Sequence, residues 1–217
     1  MKKILQAPQK GVAEFFQECH YLIVTLQTKQ LFLNLVMITR ERLKGAYSEG
    51  EALAIYNEVK ANGDFIGFAH EYILSYHEGE EGADYQVARN ALWGLTKGTD
   101  AELRQLQCIL HPLIDLALSV SNSSVRRLTL NIIERLTMEG DDLRTDFYDF
   151  CLDHMTDVNE YPGIQSLCMK LAYRMSGFYP ELREELIRIV DGMEISYYKP
   201  AVKSVHRRIL AGKNPCR

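Results

Sequence analysis

Six histidines, His20, His70, His77, His111, His154 and His206, are the first candidates for acid, base or metal-ligand chemistry. None stands in an H-E-x-x-H or similar ligand spacing. His70 and His77 lie seven apart and could share a helix face, where structural or surface roles are expected. Five aspartates, Asp142, Asp146, Asp149, Asp153 and Asp157, recur every three or four residues and would line one helix face. Paired carboxylates can exchange protons or hold a metal, but no His or Cys ligand joins these in sequence, so a solvated acidic face is expected. Five cysteines, Cys19, Cys108, Cys151, Cys168 and Cys216, form no C-x-x-C pair and no disulfide framework. Buried thiols in a reducing compartment are the expectation. The chain has no Walker loop, no G-x-G-x-x-G and no G-x-S-x-G. No catalytic residue, metal or cofactor is therefore predicted.

The elements that would position any site read as helices. Apolar stripes run through Leu128, Ile132 and Leu136, through Leu167, Leu171 and Met175, and through Leu182, Leu186, Ile189 and Met193. Pro162, Pro180 and Pro200 each fall where a helix would start, since the N–H that proline lacks has no intrahelical partner there. Asn122 and Ser123 can cap a helix that enters at Val125. Pro112 either kinks a helix over 101–120 or starts a new one after His111. Helices are predicted at 49–61, 64–77, 84–97, 101–120, 123–138, 142–157, 160–176, 179–193 and 199–211. Glu78–Asp84 is an acidic, glycine-containing linker. Residues 1–47 are expected to form a helical cap, with a hairpin across Gln27–Gln30 as the alternative; residues 48–217 form the array, in one continuous domain.

These helices repeat. The segments ending Ala91-Leu92-Trp93-Gly94-Leu95, Ile132-Ile133-Glu134-Arg135-Leu136 and Leu171-Ala172-Tyr173-Arg174-Met175 close at Leu95, Leu136 and Met175, about 40 residues apart, and Leu210 follows. Two helices per period near 40 predict an all-α, HEAT-like helical solenoid of antiparallel helix pairs.

Hydrophobic residues make up 47% of the chain and charged residues 25%, with a net charge of −4. That excludes a uniformly basic nucleic-acid binder but not a local basic face. The most apolar window, Tyr21–Ile38, contains Gln27, Lys29, Gln30 and Asn34 and is too polar for a membrane span. Gln6, Pro8, Gln9 and Lys10 interrupt any signal-peptide stretch after Met1-Lys2-Lys3. A cytoplasmic protein with no membrane partner is expected.

Charge segregates by helix. The first helix of each pair (A) carries +1, +2, +1 and +4 over 84–97, 123–138, 160–176 and 199–211. The second (B) carries −1, −4 and −2 over 101–120, 142–157 and 179–193. A basic row through Arg89, Arg126, Arg127, Arg135, Lys170, Arg174, Lys199, Lys203, Arg207 and Arg208 is the predicted partner surface. Arg89, Arg126, Arg127, Lys170, Arg174, Lys203, Arg207 and Arg208 are its principal residues. Local neutralisation by carboxylates of neighbouring helices is the competing reading. Trp93 either packs against the next repeat or offers a stacking platform.

His111-Pro112-Leu113-Ile114 with Ser124-Val125-Arg126-Arg127, Met169-Lys170-Leu171 leading to Tyr179–Leu186, and Lys203–Leu210 together resemble a group of short bacterial HEAT-like proteins of unassigned function. The resemblance covers about residues 50–211 and implies fold, with no catalytic residue. Proteins of that group are sometimes labelled adenylosuccinate lyase, a family with an S-S-x-M-P-x-K-x-N loop. Ser123-Ser124-Val125-Arg126-Arg127 does not match it. In length and helical content the chain is also similar to the alkylpurine DNA glycosylases built from HEAT-like repeats, which use a basic concave face and a Trp–Asp pair with an Arg. Here Trp93 is followed by Gly94-Leu95-Thr96-Lys97, so Asp100 or Asp115 would have to supply the carboxylate. The expected function is a non-enzymatic interaction scaffold for a protein, peptide or other anionic partner along the basic row. The alternative is a DNA-binding or DNA-repair protein on the same row. The sequence leaves the partner's identity and the oligomeric state open.

Overall fold

The computed structural model describes residues 37, 39–81 and 83–216. Most of the N-terminal segment expected to form a cap or hairpin lies outside the described residues. Leu43–Arg217 forms one compact unit, which holds all the helices of the array.

Local chemistry sets the helix ends. Ser48 starts α1 (Glu49–Asn62) with a capping box: its hydroxyl accepts from Glu51 N–H, and the Glu51 carboxylate accepts from Ser48 N–H at 2.8 Å. Gly63 ends α1 at φ 70°, a left-handed turn that a residue with a Cβ resists. Asp64 caps the short α2 (Phe65–Ala69), which widens into a π-turn over His70–Leu74. Asp84 caps α3 (Tyr85–Leu95). Thr99 and Glu102 form a second capping box at α4 (Asp100–Leu103), followed by a 3-10 turn over Arg104–Ile109 and then α5 (Leu110–Ser119). Asn122 accepts from Ser124 and Val125 N–H to start α6 (Ser123–Arg135). Next come α7 (Thr145–Thr156), α8 (Pro162–Met175), α9 (Pro180–Asp191) and α10 (Pro200–Leu210), the last three opening on proline as predicted.

Helices α1, α3, α6, α8 and α10 pack side by side in chain order as the A layer. Behind them, α2 with its π-turn, α5, α7 and α9 pack as B helices. Their starts, Glu49, Tyr85, Ser123, Pro162 and Pro200, are 36 to 39 residues apart. The all-α solenoid expected from the period is what forms. Its core lies between the layers, with Leu92, Leu95, Leu130, Ile132, Ile133, Phe147 and Leu171 all but fully buried. Burying such side chains stabilises the array by about 1.5–3 kcal/mol each. Where α1 crosses α3 the backbones come close: a Cβ on Gly94 would sit 3.2 Å from the Ala52 carbonyl oxygen. Among the described residues there is no strand, and no helix is long and apolar enough to cross a membrane.

Three expectations need correction. The helix over 64–77 is α2 plus a π-turn that stops at Leu74, so His77 is off the helix and cannot share a face with His70. The helix over 101–120 is broken by the 3-10 turn. Pro112 is the third residue of the new helix α5, a position whose N–H has no intrahelical acceptor. Of the described thiols Cys151 and Cys168 are buried, but Cys108 is exposed and Cys216 half-buried.

Candidate functional site

Each A helix is flanked by its A neighbours and backed by B helices, which leaves one stripe for solvent. From α3 onward the stripe keeps one spacing: Gln86, Arg89, Trp93 and Lys97 on α3 and its C-terminal turn; Ser124, Arg127, Asn131 and Arg135 on α6; Gly163, Ser166, Lys170 and Arg174 on α8. The intervals of three, four and four residues keep one face of a 3.6-residue helix. Ala201, Ser204, Arg208 and Gly212 continue the stripe on α10 and the turn after it. All sixteen positions are half-buried or exposed. Seven carry Lys or Arg and none carries Asp or Glu, so the surface is positive although the chain is acidic.

Several of these cations are held by the fold. Arg135 reaches back to the preceding repeat, where its guanidinium donates to the Thr96 and Gly98 carbonyls just past α3 and to Asp100 Oδ1 at 2.7 Å. Arg174 does the same one repeat later, donating to the Leu136 carbonyl at 2.8 Å and to the Glu134 carbonyl at the end of α6. The last carbonyls of a helix have no intrahelical donor and carry the negative end of its dipole. A planar guanidinium can serve two of them at once. These two arginines therefore staple α6 to the C-terminus of α3 and α8 to that of α6. They line a cleft of about 320 Å³ with Arg104, Thr137, Asp100 and Glu134. With both forks engaged, the cleft is a seam between repeats.

The remaining members of the row differ among themselves. Lys170 pairs at 3.3 Å with Glu134, whose side chain is only 2% exposed. A carboxylate so buried needs that cation beside it. Lys97 pairs with Glu49 and lies 5.7 Å over the ring of Trp93, which is half-buried and so both packs and shows a face to solvent. Arg89 donates to Asn90 Oδ1 at 2.9 Å and Arg208 to the Asn214 carbonyl at 3.1 Å; both contacts leave the positive charge un-neutralised. Arg127 is exposed beside Gly163, where a Cβ would touch its Cδ at 3.0 Å. Lys203 and the exposed Arg207 flank the stripe on α10.

Arg126 is turned away from the stripe. It lies over the Phe150 ring at 5.5 Å, donates to the Val120 carbonyl and sits 3.8 Å from Glu160 Oε2, which also contacts His154 Nδ1 at 2.6 Å. Its Nε is buried without a hydrogen-bond partner. Adjacent arginines diverge by about 100° on a helix, so Arg127 faces out because Arg126 faces the next repeat.

Sequence reasoning did not separate staples from free cations. The signal was present: Arg135 and Arg174 each stand one residue before the apolar residue that closes its helix. What could not be read was that α3 and α6 each end where the next arginine can reach.

Candidate chemistry outside the row does not assemble. Asp146 pairs with Arg144, and among the described residues no group of three His, Cys, Asp or Glu side chains could hold a metal ion. The two carboxylates expected as partners for Trp93 are already engaged, Asp100 by Arg135 and Asp115 by Arg144. Burial and the neighbouring Cys168 push the Cys151 thiol well up, so it is a poor nucleophile.

The model of the HEAT repeat domain matches residues 39–213, most of the chain and the whole A and B layers. The chain belongs to the HEAT repeat family. No curated protein and no solved structure matches it. The family match supports a helical repeat scaffold and names no partner.

Proposed function

We propose that this HEAT repeat protein is a non-enzymatic interaction scaffold that binds an acidic protein or peptide segment on the outward stripe of its A layer. The observation that carries the reading is a stripe with seven cations and no carboxylate on a chain of net charge −4. Lys97, Lys170 and Arg135 are offset by Glu49, Glu134 and Asp100, which leaves Arg89, Arg127, Arg174 and Arg208 as net positive charges on it. Four such charges suit a short acidic segment, with the half-buried Trp93 ring beside them. Nucleic acid would draw on a longer unbroken run of free cations to displace its counterions.

The test is fluorescence anisotropy with two rhodamine-labelled probes of equal length, a glutamate-rich peptide and a single-stranded DNA. The peptide is expected to bind. The double variant Arg127→Glu/Arg208→Glu, checked for folding by circular dichroism, should weaken it about tenfold or more. Tighter binding to DNA with a steep salt dependence would replace this reading with the nucleic-acid one. No effect of the double variant would move the surface elsewhere.

A further inference from the structure

The opposite end of the A helices has a different character. Four exposed tyrosines lie within two residues of an A-helix N-cap: Tyr47 before Ser48, Tyr85 after Asp84, Tyr161 at the cap of α8 and Tyr197 before Lys199. They are 75%, 42%, 62% and 72% exposed. Tyr47, Tyr85 and Tyr161 fall at intervals of 38 and 76 residues, the period of the array and twice that period. Only α6 lacks a tyrosine, having Ser121, Asn122 and Ser123 in its place. Single exposed apolar residues are ordinary on a surface. Four of the five stacked A helices thus have an exposed tyrosine at the same end, at offsets from the N-cap that differ from helix to helix.

All four lie on one edge because the A helices run parallel. The C-terminal arginines of α6 and α8 touch the C-termini of the helices before them. At the other end, Ser121, before α6, donates to Glu78, which precedes α3, and Arg126 near the start of α6 faces Glu160, which precedes α8. Tyr198 before α10 donates to the Thr156 carbonyl, at the C-terminal end of α7, at 2.7 Å.

The charge of this edge is the reverse of the stripe's. Glu51, Glu80, Glu81, Asp84, Asp157, Glu160 and Glu194 flank the tyrosines, against Lys44, Arg126 and Lys199, while Glu49 is paired with Lys97. Some serve the helices: Glu51 in its capping box, Asp84 as a cap paired with Lys44, and Glu160 against His154 and Arg126. Glu80 and Glu81 are exposed in the turn before α3. A tyrosine face attracts a cation, and carboxylates beside it strengthen that preference.

From this juxtaposition we infer that the N-terminal edge of the A layer docks an extended basic, proline-containing segment of another protein. Packed helices lie about 8–10 Å apart. A polyproline II strand advances about 9 Å per three-residue turn. Such a strand laid across the helix starts would therefore bring one Lys or Arg to each tyrosine ring, with a gap at α6. This surface is separate from the proposed acidic-peptide stripe, and its partner has the opposite charge.

The probe is a rhodamine-labelled peptide of about five Pro-Pro-Arg triplets, with the Pro-Pro-Glu counterpart as control. The full chain should bind the basic peptide and not the acidic one at this edge. Tyr47→Ser/Tyr85→Ser/Tyr161→Ser should weaken binding about tenfold or more, while the three Tyr→Phe changes should preserve it, since the ring face is what binds. Should the serine variant fold poorly, Glu80→Lys/Glu81→Lys, in an exposed turn, should lower affinity instead. Arg127→Glu/Arg208→Glu should leave this binding intact, so that either surface can fail alone. Three results would overturn the inference: no binding of the basic peptide, binding indifferent to both the tyrosine and the glutamate changes, or self-association of the chain through these tyrosines in sedimentation equilibrium.

Discussion

The two ends of the A helices solve opposite problems with opposite residues. At the C-terminal end the unmet groups are carbonyls, and Arg135 and Arg174 cross to the preceding helix to donate to them. At the N-terminal end the unmet groups are N–H, and Ser48, Asp84 and Asn122 accept from them within their own helix starts. Long cationic side chains reach across repeats, whereas short oxygen-bearing ones act at home. The C-terminal edge therefore ties repeats together and has few cations left over. The N-terminal edge caps its helix starts locally, with Ser121 to Glu78 and Arg126 to Glu160 as its contacts across repeats, and its tyrosines face outward.

A change in the shared core tests whether the two edges are independent of each other but not of the array. Leu171→Ala and Leu136→Ala, at residues buried to 2% exposure or less, should each cost about 2–5 kcal/mol in chemical denaturation. Both edges should lose protection from hydrogen exchange together. A loss confined to one edge would break the picture of one cooperative layer.

Removing a staple should be the next largest effect and should be lopsided. Arg174→Met leaves the Glu134 and Leu136 carbonyls without their donor and should cost about 1.5–3 kcal/mol, the range for hydrogen bonds to a charged group. Hydrogen exchange should quicken at the end of α6 and remain unchanged around Asn122. Equal acceleration at both edges would mean that the arginine stiffens the whole helix.

Acid should separate the edges more gently. The Glu78 carboxyl is held below the usual range by the Ser121 hydroxyl and N–H, and that of Glu51 by Ser48 and Tyr47. The Glu102 carboxyl, at the other edge, is held far below it by Lys60, Tyr56 and Thr99. A depressed carboxyl pKa stabilises the fold above the ordinary carboxylate range, and that contribution is lost as pH falls through the folded value. Titrating downward from neutral, wild type and Glu78→Gln should therefore converge in stability at a higher pH than wild type and Glu102→Gln. The phenol facing Glu102 shows the mirror behaviour. Burial and Glu102 push Tyr56 up to about 12, so its contribution is complete below pH 10 and fades as pH rises through about 12. Convergence at the same pH for both carboxylates would mean that Lys60, Tyr56 and Thr99 do not hold Glu102.

The smallest change belongs to neither edge. Asp149, exposed on the B helix α7, should be replaceable by Asn with less than about 0.5 kcal/mol in stability and no change in binding of either probe peptide. A measurable loss of binding would bring the B face into the function.

The sequence determined the architecture because helix starts and apolar stripes are local. Pro162, Pro180 and Pro200 each opened a helix, Asn122 capped one, and the period near 40 was legible in the recurring helix ends. It also determined that α3, α6, α8 and α10 are basic and α5, α7 and α9 acidic, a count that needs no coordinates; the structure adds α1, with Glu49, Glu51 and Glu58 against Lys60, as an acidic member of the A layer. Only the tertiary structure decided which cations face out. Arg126 and Arg127 are neighbours in sequence, yet one lies over Phe150 and the other faces solvent, because 100° of helix rotation meets a neighbour on one side only. Arg174 reads as a surface charge until the C-terminus of α6 is placed beside it. The tyrosine edge is invisible in the sequence for the same reason. Its residues are spread from Tyr47 to Tyr197, and parallel stacking alone makes them one surface.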